Sequence, residues 1–273
     1  MLTAMAVVLS ACSSDDASEV SNETAEVSIG FSGFTYEQTA MTRATQDVGD
    51  VCTHLDIWIS DGTTTTAYHQ ATGDAGFGSL SVTLSLSKTY TLYAVAHKAN
   101  GAATLEDGII SFHDDKVTHS FFISRQFTPT KGMSLNLTMD RIVALFQFNT
   151  ADAVPDWCKT MRFTISNVYN KWNVSTGGTN QLDRVSTFQN FSTRDDGTVT
   201  FNIYAIVTNA STNHTVLVEA LNADGEVKES HTLVDVPLRN NYRTIATGNL
   251  FTDAASAFSF KADDWADDVD YDF

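Results

Sequence analysis

The feature that most constrains the fold is a series of short apolar runs that alternate with polar residues and are separated by turn residues. Alternation with a period of two places every second side chain on the same face of a β-strand. Residues 80–86 are a clear example, because leucine and valine alternate there with serine and threonine. No window has a convincing helical period. We therefore predict an all-β protein.

The spacing of these runs predicts about a dozen strands, with hairpin turns at Asp61, Asp196 and Asp224, each followed by glycine. One sandwich holds about seven strands, so we expect two tandem β-sandwich domains, at residues 27–140 and 141–273. The predicted strands are residues 27–31, 54–60, 63–70, 80–86, 90–97, 108–112, 117–124, 133–138, 142–148, 161–168, 197–207, 215–221, 227–234 and 243–251.

The N-terminus carries an export signal. Residues 1–11 are apolar but shorter than the roughly 20 residues that cross a bilayer, and this is typical of the end of a secretory signal. The sequence Leu-Ser-Ala-Cys that ends at Cys12 is similar to the bacterial lipobox, whose cysteine is diacylated and becomes the mature N-terminus. We predict lipidation at Cys12 and a flexible tether over residues 12–26. An ordinary signal peptide with a chance cysteine is the alternative.

The charge balance excludes one large class of partner. Lys and Arg number 16 against 33 Asp and Glu, which gives a net charge of −17. Phosphate neutralisation needs clustered basic residues, so we expect no nucleic acid partner. Asp268, Asp270 and Asp272 alternate as calcium ligands do, but no glycine or closing glutamate follows them, so we expect a solvated tail and no metal.

No catalytic motif is present. The seven histidines are scattered, and neither a His-Glu-x-x-His, a Gly-x-Ser-x-Gly nor a phosphate-binding glycine loop occurs. We expect no catalytic residues, no cofactor and no enzymatic activity, although abundant carboxylates leave a hydrolase open. Cys52 and Cys158 could form a disulfide or remain buried thiols. The tryptophans, Trp58 and Trp172 above all, could form a stacking platform for glycan, which favours an alternative function as a surface lipoprotein for nutrient uptake.

The order of motifs resembles a known family. A Ser/Asp-rich tether follows the lipobox, Thr42-Arg43-Ala44 precedes the first long strands, and Leu-Asp-Ile-Trp-Ile begins at Leu55. The segment from Thr89 to Ala96 and the segment from Met139 to Phe146 complete the pattern. This order is similar to the fimbrillin superfamily of type V pili, and most of all to its FimB-type fimbrial anchor and subunit branch.

The resemblance implies two transthyretin-like sandwiches, export to the outer membrane as a lipoprotein, and assembly with other fimbrial subunits by β-strand exchange. It also implies that an Arg-directed protease can remove an early strand in stalk subunits. Arg43 and Ala44 are then the candidate cleavage site, with an ordinary loop arginine as the alternative. The apolar run at residues 254–260 is the candidate donor strand.

Overall fold

The computed structural model describes residues 23–34, 48–252 and 258–264, and most of these residues lie in β-strands. The short helix α1 (Val48–Val51) and a single 3-10 turn (His113–Asp115) are the helical elements of the described ranges. The strands are β1 (Thr24–Phe34), β2 (His54–Ser60), β3 (Thr65–Ala71), β4 (Ser79–Ser85), β5 (Tyr90–His97), β6 (Thr104–Glu106), β7 (Ile109–Ser111), β8 (Phe121–Phe127), β9 (Ser134–Arg141), β10 (Ala144–Thr150), β11 (Thr160–Asn173), β12 (Gly177–Gln189), β13 (Thr200–Ala205), β14 (Thr212–Leu221), β15 (Val227–Leu238), β16 (Tyr242–Gly248) and β17 (Ser259–Asp264).

The first sandwich is one continuous sheet folded over on itself, with the strand order β3-β2-β5-β8-β9-β1-β4. Strands β8 and β9 pair only through Phe121 with Arg141 and Phe122 with Asp140, so the sheet can bend there. The three strands β9, β1 and β4 therefore face β8, β5, β2 and β3. Apolar side chains from both layers, such as Ile29 and Leu55, meet in one buried core.

Side-chain hydrogen bonds join the two outer strands of this folded sheet. The Gln70 amide on β3 donates to the Ser79 carbonyl at 2.7 Å and accepts the Gly78 N–H at 3.0 Å. An open edge leaves backbone groups available to other chains. Here the side chain of Gln70 links the edge of β3 to the beginning of β4 by two hydrogen bonds.

The second sandwich packs two separate sheets against each other. One has the order β13-β10-β16-β17, and the other has the order β15-β14-β11-β7-β6, with β12 pairing β11. Their shared core is rich in aromatic residues. The Phe163 ring lies in its middle and contacts the rings of Phe148, Phe188 and Phe201 at centroid distances of 5.2 to 5.8 Å.

A third apolar cluster joins the two sandwiches. The outer face of the first sandwich contributes Trp58 and Phe122, and the second contributes Leu145 and Trp172. The hairpin β6–β7 lies before residue 140 in the chain, yet it joins the sheet of the second sandwich through the pairing of β7 with β11. Strand pairing and apolar packing therefore both join residues before and after position 140, where we expected one domain to end and the next to begin.

The predicted fold class, all-β with sandwich packing, is confirmed. The strand predicted at residues 142–148 corresponds to β10, which pairs with β13 on one side and β16 on the other. Two differences have clear causes. Strand β1 begins at Thr24 rather than residue 27, because Thr24 already pairs with Ser85 of β4. Strand β12 was missed, since its exposed face is polar and it is held by its pairing with β11.

We expect Phe163→Ala to lower the free energy of unfolding by about 3–5 kcal/mol, because it removes a fully buried ring from a packed aromatic cluster. Urea denaturation of the full chain measures this. Val185→Ala is the control, because Val185 is 57% exposed on β12 and we expect a change within about 0.5 kcal/mol. Similar losses for both variants would contradict this account of the core.

Candidate functional site

Strand β1 supplies one wall of the first core. Its residues alternate strictly, so that Ala25, Val27, Ile29 and Phe31 are buried while the residues between them are more exposed. Val27, Ile29 and Phe31 are each at most 4% exposed. Burying one such side chain contributes about 1.5–3 kcal/mol. The first sandwich therefore depends on this strand for a large part of its apolar contacts.

The pairing of β1 is different on its two sides. It runs antiparallel to β4, from Thr24 opposite Ser85 to Gly30 opposite Ser79. It runs parallel to β9, which lies more than a hundred residues later in the chain, with Ser28 opposite Ser134. We call the space between β4 and β9 that β1 fills the β1 groove. Without β1, both walls of this groove would present unpaired backbone groups.

A cleft with both polar and apolar lining lies at one end of the β1 groove. This cleft of about 480 Å³ is lined by the first residues of β1 and by residues 131–134, which lead into β9. The Lys131 ammonium lies 3.3 Å from the Glu23 carboxylate, and the Ser81 hydroxyl donates to Glu26 at 2.6 Å. These exposed contacts contribute little to stability. Apolar side chains and backbone pairing are therefore the main interactions that hold β1 in the groove.

None of the residues that the sequence singled out for lipidation, cleavage or metal binding can be placed relative to this strand. Cys12, Arg43 and Ala44 all fall outside the described residues, as do Asp268, Asp270 and Asp272. Arg43 belongs to residues 35–47, which connect the end of β1 to α1. Sequence alone could not tell that the strand before Arg43 lies in the middle of a sheet. That position became evident only from the pairing with β9.

The C-terminal candidate donor strand, residues 254–260, lies partly within the described residues. Residues 253–257 lie outside the described ranges, but Ser259 to Asp264 form β17, which pairs antiparallel with β16. The Phe258 ring packs on Phe148, and a Cβ atom at Gly248 would lie 2.4 Å from it. Asp152 accepts hydrogen bonds from the backbone N–H groups of residues 250–252, which precede this segment. The segment is therefore already an outer strand of its own sheet.

The proposed tryptophan platform is not present as such. Trp58 is only 5% exposed and lies in the cluster between the sandwiches. The Trp172 ring packs on Phe122 in the same cluster, and its indole N–H is enclosed. Trp157 is 37% exposed and packs edge-on against Phe251, while Trp265 lies outside the described ranges. Trp58 is therefore part of the packing between the two sandwiches and does not form an exposed binding surface.

A buried polar cluster lies where the first sandwich meets the second. Arg141 donates from Nε to His119 Nε2 at 2.9 Å and from Nη1 to Asn241 at 3.3 Å, and its guanidinium lies over the Phe121 ring. His119 also stacks on Tyr204 of β13. Burial, and then the positive charge of Arg141, hold the pKa of His119 well below its usual range. The neutral imidazole can therefore accept the arginine hydrogen bond.

A second arginine crosses the junction. Arg184 on β12 donates from Nη2 to the Val117 carbonyl at 2.7 Å. Burial lowers the pKa of Arg184 to about 10, which still leaves it charged at neutral pH. Together with Arg141, it links the two sandwiches by hydrogen bonds as well as by apolar packing. Cys52 and Cys158, the cysteines in the described ranges, are buried thiols in different cores and form no disulfide with each other.

Two features can be tested directly in the part of the chain that the structure describes. Within those ranges, no group of three or more His, Cys, Asp or Glu side chains is placed to hold a metal ion. None of the helices there is long and apolar enough to cross a bilayer.

The fold and the groove define a class of all-β proteins in which an N-terminal strand completes the first sandwich from the middle of a sheet. The chain belongs to the family of unknown function DUF6562, whose model matches residues 19–271. None of the curated proteins matches the chain.

Solved structures share the fold at low sequence identity. One is described as a "putative adhesin" of Bacteroides thetaiotaomicron VPI-5482, with 10% identity, a TM-score of 0.53, and coverage of 89% of this chain and 96% of that one. Another, described in the same words, is from Bacteroides ovatus, with 12% identity, a TM-score of 0.52, and coverage of 86% and 96%. At these identities the likeness concerns the architecture.

We expect Ile29→Ala to weaken the attachment of β1, because Ile29 is 1% exposed and packs in the first core. The free energy of unfolding should fall by about 2–5 kcal/mol. Amide hydrogen exchange should become faster in β4 and β9, which pair with β1. Ser28→Ala, one residue away on the exposed face, is the matched control and should change stability by less than about 0.5 kcal/mol. Unchanged exchange in β9 after Ile29→Ala would contradict a structural role for β1.

Proposed function

We propose that the protein is a lipid-anchored subunit or anchor of a type V pilus, of the FimB-type branch of the fimbrillin superfamily, which assembles by β-strand exchange and acts in adhesion. The observation that carries this proposal is the position of β1. It is an N-terminal strand in the middle of a sheet, parallel to β9 and followed closely by the first arginine of the chain. The fold shared with two structures described as "putative adhesin" supports a role in adhesion.

Strand exchange has a simple physical basis here. If β1 leaves the β1 groove, the backbone groups of β4 and β9 lose their partners and the pockets of Val27, Ile29 and Phe31 become open. A strand from another subunit can then satisfy the same backbone groups and place alternate apolar side chains in the same pockets. The other fimbrial subunits are the proposed partners.

Cys12 gives the proposed location. A diacylated cysteine would hold the protein in the outer membrane, and residues 13–22 separate it from the first described residue of the fold. A lipid-anchored, surface-exposed protein of the fimbrium is consistent with that order. We propose no enzymatic activity. The alternative of a surface glycan-binding lipoprotein loses the platform that suggested it, because Trp58 is buried between the sandwiches.

Cleavage or retention of the bond after Arg43 distinguishes a polymerising subunit from an anchor. Cleavage after Arg43 would leave β1 held only by noncovalent contacts, whereas an intact chain keeps β1 tethered in its groove. The experiment is to shear pili from the native host and to identify this protein by mass spectrometry in the fibre and membrane fractions. Acylated Cys12 in the membrane fraction, with detached or missing fibres in a deletion strain, would indicate an anchor. A mature peptide that begins at Ala44 would indicate a stalk or tip subunit.

For a stalk or tip subunit, Arg43→Gln should abolish the Ala44 peptide and reduce incorporation into fibres at least tenfold, because β1 can no longer leave the groove. Quantitative mass spectrometry of sheared fibres measures this. Arg125→Gln is the control, since Arg125 is exposed on β8. Absence of the wild-type protein from fibres, together with normal pili in its deletion strain, would overturn the pilus proposal.

The proposed donor is the C-terminal segment. Strand β17 has one partner in its sheet, β16, so it can detach at lower cost than β1. We expect deletion from Ala254 onward to block assembly while the fold is largely retained. Fibre yield and the urea midpoint of the truncated protein measure the two effects separately. Phe258→Ala, which removes the ring that packs on Phe148 and His231 but keeps the segment, controls for lost stability. Normal pili built with the truncated protein would exclude this segment as the donor.

A further inference from the structure

A cluster of histidines surrounds a buried carboxylate in the first sandwich. Asp56 on β2 has a side chain that is only 3% exposed. Its carboxylate accepts hydrogen bonds from His69 Nδ1 on β3 at 2.7 Å, from His97 Nε2 on β5 at 2.8 Å, and from the Ala103 N–H at 2.9 Å. One carboxylate therefore holds an outer strand, an inner strand and the loop that leads to the β6–β7 hairpin.

The protonation of His97 follows from its hydrogen bonds. The Ala99 N–H donates to His97 Nδ1 at 3.1 Å, so Nδ1 acts as an acceptor and Nε2 carries the hydrogen that is donated to Asp56. The ring is fully buried.

His54 lies against both other rings of the cluster. Its ring centroid is 5.4 Å from those of His69 and His97, and it is nearly parallel to the His97 ring at 3°. Its Nδ1 lies 2.9 Å from the Thr53 hydroxyl oxygen. Neither the ring stacking of His54 nor its contact with Thr53 involves a carboxylate.

The groups that face His54 come from every neighbouring element. They are Asp56 on its own strand, His69 on β3, His97 on β5 and His113 in the 3-10 turn. Burial lowers the pKa of His54 most, positive charge on His97 or His69 lowers it further when those rings are protonated, and the Asp56 carboxylate acts in the opposite direction. A proton on His69 can be compensated by its direct bond to Asp56. A proton on His54 adds a charge beside two imidazoles, without such a bond.

We propose that Asp56, His54, His69 and His97 form an acid-sensitive clasp, which holds β3 and residues 98–103 onto β2 at neutral pH and opens locally on acidification. The closed clasp keeps three imidazoles stacked or hydrogen-bonded around one carboxylate. When β3 and the loop move away, His54 becomes free to bind a proton in water. The clasp would work in an anchor, a stalk subunit or a protein outside any pilus, so it does not depend on the proposed function.

The direction of the pH effect follows from proton linkage. The folded state binds a proton at His54 less readily than the open state, in which histidine titrates near 6.5. The stabilisation is therefore fully present above about pH 6.5 and is lost progressively as the pH falls. One histidine kept fully neutral would reduce protection at most about tenfold at pH 5.5. Solvent reaches part of the His54 ring, so we expect a several-fold loss.

The test is amide hydrogen exchange of the full chain at pH 7.5 and 5.5, corrected for intrinsic rates. We expect a several-fold loss of protection in peptides that cover β3 and residues 98–103, and no such loss in β11 of the second sandwich. His54→Gln should reduce this loss at least twofold, whereas His231→Gln, on β15, should leave it as in the wild type. Equal protection at both pH values, or an equal loss in His54→Gln, would overturn the clasp.

A measurement on the wild type removes any dependence on variant folding. Histidine ring signals in NMR report each titration directly. We expect His54 to titrate below 6.5, over the pH range in which β3 loses protection. Titration of His54 at or above 6.5 would overturn the proposal even if the variant failed to fold.

Discussion

The double pairing of β1 is the constraint on which the first sandwich depends. One strand supplies hydrogen bonds to β4 on one side and β9 on the other, and its alternate side chains fill the core beneath. Strand β9 then bends into β8 through Phe121 and Arg141, where the second sandwich begins. Arg141, at the end of β9, also donates a hydrogen bond to Asn241 in the second sandwich. The strand that pairs with β1 therefore leads directly to the junction between the two sandwiches.

Most strands could be predicted from the sequence because burial on one face imposes a period of two. The prediction was most successful for strands with buried apolar side chains on both faces, such as β5 and β10. It failed for β12, whose Gln181, Asp183 and Thr187 face solvent, and whose partner β11 supplies the backbone bonds. The pairing of β7 with β11 could not be predicted either, since short strands carry no signal for a partner more than fifty residues away.

The candidate sites divide along the same line. Signals that lie within a few residues, such as the lipobox predicted at Cys12 and the cleavage site predicted at Arg43, can be proposed from the sequence alone. The role of Trp58 could not, because its strand has apolar packing on both faces and only the second sandwich decides that it is covered. The clasp around Asp56 was invisible for a different reason. Its histidines lie on three strands, and only the sheet register brings them together.

The clasp and the β1 groove are physically connected. Gln70 follows His69 on β3 and bonds to the backbone of Gly78 and Ser79, at the start of β4. The Gly78 carbonyl in turn accepts the N–H of Phe31 at 2.8 Å, near the end of β1. Movement of β3 away from Asp56 would therefore withdraw support from the residues that hold this end of β1. The apolar side chains of β1 and its covalent continuity through Arg43 would still retain it, so loosening and release of the strand are separate events with separate controls.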